Sequence, residues 1–501
     1  MTFSPNNIDE LLDESERAGI RRATEAAHSS GQTQWVARVI LTQSIDILRC
    51  YTRCGTRDRF FWERAETGER FVAWGCVDET ESAGSERFRD VEVWAAGVRS
   101  RLHWVGAARS DAAPVLFGGF GFDDDATPAS EWKSFPAARF VLPAAIGEFR
   151  HGQARWITLA RVEPGVEAES VEAELAERLV EARAFSLTQS DSQLDSNQLA
   201  FDLLTVADRP AGPEYRVRSD RAHAVFLAQV ARVLEDIAAG GLEKVVLARS
   251  LQVDHDGEVD IPGVLERLRQ LYPSCTLIAM GRGEDTFLAA TPEILVRVEG
   301  DRVETAALAG SAPRGRTPEE DAALASALQS SAKEQAEHAH VVEALSRVLA
   351  PRCAELEIDD IPGLRRLFGI QHLETLVSGR LLESEEGQDA VLGLVAALHP
   401  TPAVGGVPHA RASDWLRRFE GLDRGWYASP IGWLDAAGGG DFCVALRSAL
   451  IRIGSSESGR EATTRAWLFA GAGIVAGSVP EQELAETRIK LRALLAPLTE
   501  I

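Results

Sequence analysis

The chain has 501 residues, of which 45% are apolar and 26% are charged, and its formal net charge is −23. This is the composition of a globular protein with a large core, and the acidic balance excludes nucleic acid and anionic membranes as partners. No apolar run is long enough to span a bilayer, and the six cysteines lack the second close pair that a zinc site needs. We therefore expect reduced thiols and a cytoplasmic protein.

The first 200 residues predict short strands joined by turns. Segments such as RFFWERA (59–65) and PVLFGGFGFDD (114–124) are rich in aromatic residues and interrupted by Gly, Asp or Pro, which is typical of strands. Residues 171–185 predict an amphipathic helix, and the polar residues 187–198 predict a linker. We expect residues 1–200 to form a β-rich part of one globular body rather than a free domain.

Strands and helices are mixed in the rest of the chain, residues 215–498. Ser219 is expected to cap a long helix, and residues 244–253 predict a strand. Residues 319–350 predict one helix or two, and residues 480–498 predict the closing helix. Because strands and helices alternate without a regular β-α-β order, the pattern predicts an α+β fold with large, mainly antiparallel sheets.

Two of these helical segments carry the same acidic spacing, with Glu334 three residues before Glu337 and Glu483 three residues before Glu486. Residues three apart share one face of a helix, so each pair presents two carboxylates together. If the two pairs meet, they form an oxygen-rich site suited to Mg²⁺. The same spacing is common on solvated helix faces, and the spacing alone leaves both interpretations open.

A zinc site is the other metal hypothesis for this region, because His338 and His340 follow Glu337 closely. Histidines two positions apart diverge on a helix, and the HExxH pattern of zinc enzymes is absent. The sequence therefore argues against catalytic zinc.

Ten short motifs follow one another through the second half of the chain, and they are LEKVVLARS (242–250), ATPEILVR (290–297), ETAALAGSAPRG (304–315), SAKEQAEH (331–338), IQHLETLVSG (370–379), LHPTPAVGG (398–406), RGWYASPIGW (424–433), DFCVALRSA (441–449), LFAGAGIVAGS (468–478) and PEQELAETRIK (480–490). With these motifs in this order, residues 219–498 resemble the chorismate-binding enzymes. That family includes isochorismate, salicylate, anthranilate and aminodeoxychorismate synthases. The resemblance implies a fold in which large antiparallel sheets pack in layers with helices outside.

The resemblance also implies a magnesium cofactor and chorismate as the substrate. Glu337 and Glu486 match the magnesium ligands of the family, and Glu334 and Glu483 match the acidic residues beside them. Chorismate is a dianion, so a metal cation and basic side chains would supply the positive field that the chain as a whole lacks.

Substrate binding is assigned by the same resemblance. Arg447 and Lys490 match the basic groups that hold substrate carboxylates, and Gly471 and Gly473 match a glycine turn whose backbone N–H groups meet a carboxylate. The remaining positions expected to line the substrate pocket are His372, Tyr427, Ala403, Gly310 and Ser311.

Members of the family differ in the nucleophile that attacks the chorismate ring. Addition of water at C2 with loss of the C4 hydroxyl gives isochorismate, and it needs a base and an acid. The resemblance places the lysine base of water-using members at Lys244 and the general acid at Glu293, which must stay protonated. The residue type alone would favour a solvent-exposed lysine at a strand edge for Lys244.

Within the family, the sequence predicts an isochorismate synthase. Aminodeoxychorismate synthases carry a lysine where this chain has Ala309, and no amidotransferase half is present, so no amidotransferase subunit is expected. Salicylate synthase is the main alternative, but salicylate formers tend to carry threonine at the position of Ala403. A catalytically idle chorismate-binding protein is the second alternative, although the acid, base and metal-ligand positions are all filled.

The N-terminal stretches FFWERA (60–65) and FGGFGFDD (117–124) resemble those of menaquinone-pathway isochorismate synthases. They favour menaquinone biosynthesis over siderophore or salicylate routes. Relatives of this single-chain type are often monomers, so we expect a monomer.

Overall fold

The computed structural model describes residues 12–55, 58–106, 113–124, 129–186, 215–383, 390–454 and 463–499. The linker predicted at residues 187–198 lies outside these ranges. In the part that is described, no helix is both long enough and apolar enough to cross a membrane.

Up to residue 186 the described helices are α1 (Glu14–Ser30), α2 (Ile47–Arg53), α3 (Arg87–Ser100) and α4 (Ala168–Ser186). The strands in this part are β1 (Gln34–Thr42), β2 (Arg59–Arg64), β3 (Glu69–Trp74), β4 (Asp78–Ser82), β5 (Leu102–Gly106), β6 (Pro114–Phe120), β7 (Ala138–Leu142), β8 (Ala145–Arg150) and β9 (Gln153–Val162). The helix predicted at residues 171–185 is confirmed as most of α4.

From residue 215 onward the helices are α5 (His223–Ala238), α6 (Ile261–Leu271), α7 (Pro318–Ser330), α8 (Ala332–Leu349), α9 (Ala390–Leu398), α10 (His409–Phe419) and α11 (Pro480–Thr499). The strands are β10 (Tyr215–Ser219), β11 (Lys244–Asp256), β12 (Thr276–Arg282), β13 (Asp285–Thr291), β14 (Ile294–Glu299), β15 (Arg302–Pro313), β16 (Cys353–Ile358), β17 (Gly363–Arg366), β18 (Ile370–Leu381), β19 (Gly406–Val407), β20 (Pro430–Asp435), β21 (Gly440–Val444), β22 (Ser448–Gly454) and β23 (Thr463–Val475).

The larger of two sheets has the strand order β10-β11-β23-β22-β13-β12-β2-β3-β8-β9-β1-β5, and β19 also pairs with β11. Neighbouring strands on this path are antiparallel except β1 and β5. Ile278 of β12 lies opposite Ala289 of β13 on one side and Trp62 of β2 on the other. Strands from both parts of the chain therefore share this sheet.

The smaller sheet has the strand order β16-β18-β15-β14-β21-β20-β6-β7-β4, and β17 pairs with β18. Its pairings are all antiparallel. Gly432 of β20 lies opposite Phe442 of β21 and Gly118 of β6, so the early and late strands also meet here.

Aromatic side chains fill the space between the two sheets. The ring of Phe60 on β2 lies 4.7 Å from that of Phe117 on β6, measured between centroids. The ring of Phe71 on β3 lies 5.3 Å from that of Trp433 on β20. All four belong to one cluster of buried side chains that draws on both sheets, and large rings of this kind dominate the energetics of a core.

Helices cover the other face of the larger sheet. Ile278 of β12 belongs to the core between the sheets, whereas its neighbour Leu277 belongs to a second cluster with Leu265 of α6 and Leu491 of α11. Successive side chains of a strand point to opposite faces, so the sheet is buried on both. The predicted α+β fold, with antiparallel sheets in layers and helices outside, is confirmed.

The acidic segments begin helices at defined points. Residues 319–350 form two helices that meet at Ser331, whose backbone is extended. Ser331 follows the last residue of α7 and caps α8, because its side chain accepts a hydrogen bond from the Glu334 N–H. The second acidic helix, α11, begins at Pro480, a residue well suited to a first helical position because its missing N–H would have no partner there. Both glutamate pairs therefore lie in the first two turns of a helix.

The expectation that Ser219 caps a helix is wrong. Ser219 is the last residue of β10 and lies opposite Leu251 of β11, whereas α5 begins at His223 with Ala222 as its N-cap. Pairing with β11 holds this segment extended, so tertiary contact overrides the local capping signal.

Candidate active site

A cavity of about 850 Å³, including the open space at its mouth, is lined by the first turns of α8 and α11 and by residues of β15, β18 and β23. It contains nearly every residue that the sequence indicated: Glu293, Gly310, Ser311, Glu334, Glu337, His372, Ala403, Tyr427, Arg447, Gly471, Gly473, Glu483, Glu486 and Lys490. Lys244 lies directly behind this lining, in contact with Glu337. Residues that are far apart in the sequence thus meet at one place.

Lys244 is the first residue of β11 and is completely buried. Its ammonium nitrogen lies 2.9 Å from Oε1 of Glu337, and Glu337 lines the cavity. The pKa of the Glu337 carboxyl is lowered: burial alone would raise it, but Lys244, Lys490 and Lys333 together outweigh burial. The structure therefore excludes the solvent-exposed alternative for Lys244.

Gly473 makes room for this ion pair. A Cβ atom on Gly473 would lie 2.6 Å from Glu337 Oε1 and 3.1 Å from Lys244 Cε, and the first distance is shorter than real contacts allow. Any larger residue at position 473 would push the two charged groups apart.

Glu293 lies in the short connection between β13 and β14 and is only 5% exposed. Its backbone is anchored on both sides, because its N–H donates to Thr291 Oγ1 at 3.2 Å and its carbonyl accepts from Val444 N–H at 3.1 Å. Thr401 Oγ1 donates to the carboxyl Oε1 over 3.5 Å. Burial raises the pKa of Glu293 to about 7, against the opposing influence of Lys244 and Lys490. A protonated carboxyl near neutral pH suits a general acid.

Arg447 is held on several sides. It has a φ of +47°, in the left-handed region that non-glycine residues seldom adopt. Its Nη2 lies 3.3 Å from His372 Nε2, its Nη1 lies 3.6 Å from Cys275 Sγ, and its guanidinium lies 5.7 Å from the centre of the Tyr272 ring. These contacts restrict the guanidinium to one orientation at the cavity wall.

His372 is a neutral ring in this network. Burial, followed by the charges of Arg447 and Lys490, holds its pKa well below the ordinary value. A guanidinium can only donate, so His372 Nε2 must accept from Arg447 and the ring proton must sit on Nδ1. The Nδ1–H then donates to Ser311 Oγ at 2.9 Å.

Lys490 joins α11 to β23. Its ammonium donates to the Gly471 carbonyl at 2.9 Å and lies 2.7 Å from Glu486 Oε1, one helical turn earlier. A Cβ on Gly471 would lie 3.0 Å from the Tyr427 hydroxyl, so the glycine lets that ring approach the strand. Burial raises the pKa of Tyr427, which keeps its hydroxyl protonated and able to donate.

The backbone of β23 is open toward the cavity at its two glycines. Gly471 lies opposite Ala248 and Gly473 lies opposite Val246. Neither β11 residue donates to β23: Ala248 N–H donates to Glu420 Oε1 and Val246 N–H donates to the Gly405 carbonyl. In an antiparallel ladder the N–H groups of Gly471 and Gly473 must then point away from β11, toward the side on which Lys490 lies.

The four carboxylates at the starts of α8 and α11 form the candidate metal site. The pKa values of Glu334 and Glu483 are raised, mainly by burial and in addition by neighbouring carboxylates, and the four carboxylates share three ammonium groups. Oxygen ligands with surplus negative charge fit Mg²⁺. The ligand atoms of the four glutamates do not all lie within 4.8 Å of one another. Among the described residues, that distance is met by a different group, Asp58, Cys76 and Glu79.

The histidines beside Glu337 do not face this cluster. His338 is buried with both ring nitrogens engaged, Nδ1 with the Ala309 carbonyl at 3.2 Å and Nε2 with Thr375 Oγ1 at 2.7 Å. His340 has its Nδ1 3.8 Å from Glu243. Their different directions follow from their spacing on a helix.

Lys333 is a site residue that the sequence interpretation missed. It lines the cavity, and its ammonium lies 3.4 Å from Glu483 Oε1 and 3.6 Å from Glu334 Oε1. Composition would have drawn attention to it, because the whole chain contains only four lysines and three of them, Lys244, Lys333 and Lys490, belong to this site.

Thr401, Cys275 and Tyr272 were also missed. Each acts on a predicted residue from another part of the chain: Thr401 contacts Glu293, whereas Cys275 and Tyr272 contact Arg447. No local pattern marks such contacts, because they depend on how distant strands pack.

Comparisons with known proteins agree with this geometry. The family profile described as "Chorismate binding enzyme" matches residues 21–499. The salicylate biosynthesis isochorismate synthase of Pseudomonas aeruginosa is 36% identical over 493 residues, which are 97% of this chain and 94% of that protein. The isochorismate synthase MenF of Bacillus subtilis is 34% identical over 450 residues, 88% of each protein.

A solved structure supports the fold. The menaquinone-specific isochorismate synthase MenF of Escherichia coli superposes with a TM-score of 0.69 at 23% identity, covering 96% of this chain and all of that one. Taken with the profile match over nearly the whole sequence, these similarities establish that the chain belongs to the chorismate-binding enzyme family.

Proposed function

We propose that this protein is an isochorismate synthase that adds water to C2 of chorismate and expels the C4 hydroxyl. The observation that carries the proposal is the pairing of Lys244, buried against Glu337, with Glu293, a carboxyl whose pKa is raised to about 7, at one cavity. The Pseudomonas aeruginosa and Bacillus subtilis relatives, 36% and 34% identical, are both named isochorismate synthases.

In this mechanism Lys244, as the neutral amine, takes a proton from the attacking water, the C2–O bond forms, and the two ring double bonds shift as the C4–O bond breaks. Glu293 gives its proton to the departing hydroxyl, which leaves as water. Lys244 gains one proton and Glu293 loses one. One water molecule adds to the ring as another leaves, so the net reaction is an isomerisation. Arg447, held by His372, and Lys490 orient the two substrate carboxylates so that both proton transfers have the correct geometry.

We propose Mg²⁺ as the cofactor, with Glu337 and Glu486 as ligands and Glu334 and Glu483 beside them. The four carboxylates share only three ammonium groups, those of Lys244, Lys333 and Lys490, and this supports that choice. When bound, the ion would supply positive charge to a substrate carboxylate and act as a template for its position.

Product analysis tests the function. Purified protein incubated with chorismate and Mg²⁺ should yield isochorismate alone. Salicylate with pyruvate would select the salicylate synthase alternative, which the presence of Ala403 disfavours. Chorismate binding without turnover would select a non-catalytic relative.

We propose further that the enzyme is a cytoplasmic monomer without an amidotransferase subunit and that its product serves menaquinone biosynthesis. The Bacillus subtilis relative shares the name MenF with the menaquinone-specific Escherichia coli enzyme, which supports this use, whereas the Pseudomonas aeruginosa relative supports salicylate biosynthesis as the second candidate. Deleting the gene and measuring both metabolites separates the two: loss of menaquinone supports the first, and loss of salicylate alone supports the second. The molar mass in solution, measured by light scattering, tests the monomer.

A further inference from the structure

The use of lysine in this chain is strongly uneven. Of 53 basic side chains apart from histidine, only four are lysines, and three of those four have their ammonium groups at a single cavity. Elsewhere the chain uses arginine for positive charge. Two of the three lysines have a place in the proposed reaction, Lys244 as base and Lys490 at the substrate carboxylates. Lys333 has none, so its contacts need their own explanation.

Lys333 is the second residue of α8 and reaches across to α11. Its ammonium lies between two carboxylates, 3.6 Å from Glu334 Oε1 and 3.4 Å from Glu483 Oε1. The other two carboxylates of the cluster have cations of their own, Lys244 on Glu337 and Lys490 on Glu486. Among the described residues, Lys333 is therefore the cation of the two remaining carboxylates, and its contacts connect the two acidic helices.

We propose that Lys333 is a displaceable counter-cation of the metal site: it neutralises Glu334 and Glu483 in the metal-free protein, and Mg²⁺ bound beside these carboxylates competes with it for their negative charge. This inference rests on the magnesium site of the proposed function. Two cations close to the same cluster of carboxylates repel each other, so each weakens the binding of the other. Lys333 thus sets the metal affinity of the site.

The choice of lysine over arginine fits this role. An ammonium group is a compact, well-hydrated point charge on a flexible stem, whereas a guanidinium would hold both carboxylates in a rigid fork. The Lys333 side chain is 34% exposed, so water can solvate its charge once it leaves the carboxylates, unlike the charge of the fully enclosed Lys244. A removable cation needs both properties.

Magnesium affinity, measured by titration calorimetry on the full-length protein without substrate, tests the inference. Lys333→Met removes the competing charge and should bind Mg²⁺ about tenfold more tightly than wild type. Lys133→Met removes a lysine that lies exposed and outside the cavity, so its affinity should match wild type. Lys333→Arg keeps the charge in a form that grips both carboxylates, and it should bind Mg²⁺ more weakly than wild type.

A second measurement covers the case in which Lys333→Met folds poorly. Without metal, its melting temperature should fall below that of wild type because Glu334 and Glu483 lose their cation, and added Mg²⁺ should raise it by more than it raises the wild-type value. If Lys333→Met gains no affinity and Lys333→Arg loses none, the inference fails while the magnesium site stands. Equal gains in Lys333→Met and Lys133→Met would reduce the effect to net charge and also overturn it. If wild type binds no Mg²⁺ at all, the metal part of the proposed function fails with it.

Discussion

Lys244 and Glu337 form an ion pair of 2.9 Å across the contact between β11 and α8, and the missing side chain of Gly473 leaves the space for it. The proposed base thus touches a proposed metal ligand. A substitution of the proposed base should therefore also change Mg²⁺ binding, and a substitution of the proposed metal ligand should also change proton transfer.

Gly473→Ala should separate this pair without removing either group. The added Cβ would lie 2.6 Å from Glu337 Oε1, so the carboxylate must move. We expect kcat for isochorismate formation to fall by about tenfold or more, since small displacements of catalytic groups are costly. Gly393→Ala in α9 is the matched control, because a Cβ there meets nothing within 4 Å, and its kcat should stay at the wild-type value. Normal turnover in Gly473→Ala would show that the pair tolerates displacement.

Lys244→Ala should abolish the base. We expect isochorismate formation to fall by about two to four orders of magnitude, the usual scale for a lost general base. Chorismate should still bind, because Arg447 and Lys490 remain, and equilibrium dialysis would measure this. Turnover close to wild type would place the base elsewhere.

Glu293→Gln should remove the acid and cause a loss of similar size, about two to four orders of magnitude. In the wild type the carboxyl must be protonated to act, and its pKa is about 7, so kcat should decline as the pH rises above about 7. A wild-type rate that keeps rising between pH 7 and 9 would contradict this assignment.

The same residue predicts a pH-dependent stability difference. The Glu293 carboxyl ionises near 4.5 in the unfolded chain and near 7 in the folded protein, so the stability that it contributes is lost as the pH rises from about 4.5 to about 7. Glu293→Gln cannot ionise and should be more stable than wild type at pH 8, by up to about 3 kcal/mol. Below pH 4.5 this difference should vanish. Urea unfolding at several pH values measures it.

Glu486→Gln tests the metal. Loss of one carboxylate should weaken Mg²⁺ binding, so activity should fall and extra Mg²⁺ should restore it only in part. The variant also loses the partner of Lys490 at 2.7 Å, which makes chorismate affinity a useful second readout. Full activity of Glu486→Gln in chelator-treated buffer would rule out the assignment.

Ammonium should not divert the reaction. We proposed Lys244 as a base that activates water, and the family resemblance implies a lysine at the position of Ala309 in aminodeoxychorismate synthases. Chromatography of the products at high ammonium concentration and high pH should therefore show isochorismate without an aminated product. Substantial amination would count against the role given to Lys244.

Residue spacing and family motifs identified the parts of the site but not their contacts. The i, i+3 glutamate pairs are local features of α8 and α11, so Glu334 and Glu483 were visible in the sequence. The partner of Lys244 depends on how β11 packs against α8, which no local pattern encodes. Lys333 was overlooked for a different reason: its significance lies in the rarity of lysine in the whole chain, not in its neighbours.

In the fold, too, local features could be predicted from the sequence, whereas contacts between distant segments could not. The α+β class with mainly antiparallel sheets followed from the mixed order of strands and helices, whereas the layers with helices outside came from the resemblance to the chorismate-binding enzymes. The position of Ser219 did not follow from its local sequence, because β10 is held as a strand by its pairing with Leu251 and its neighbours on β11. Sheet order was likewise beyond local patterns, since β12 pairs with β2 across more than two hundred residues of sequence.

The insertion of β2 beside β12 and of β6 beside β20 has a consequence for any attempt to shorten the protein. A fragment starting near residue 215 would keep every proposed catalytic residue, yet it would expose two long strand edges inside what are now continuous sheets. Unpaired edges of this kind recruit other chains and aggregate. The residues from 215 onward are therefore not expected to fold as a separate unit, because the early strands continue both sheets beyond β12 and β20.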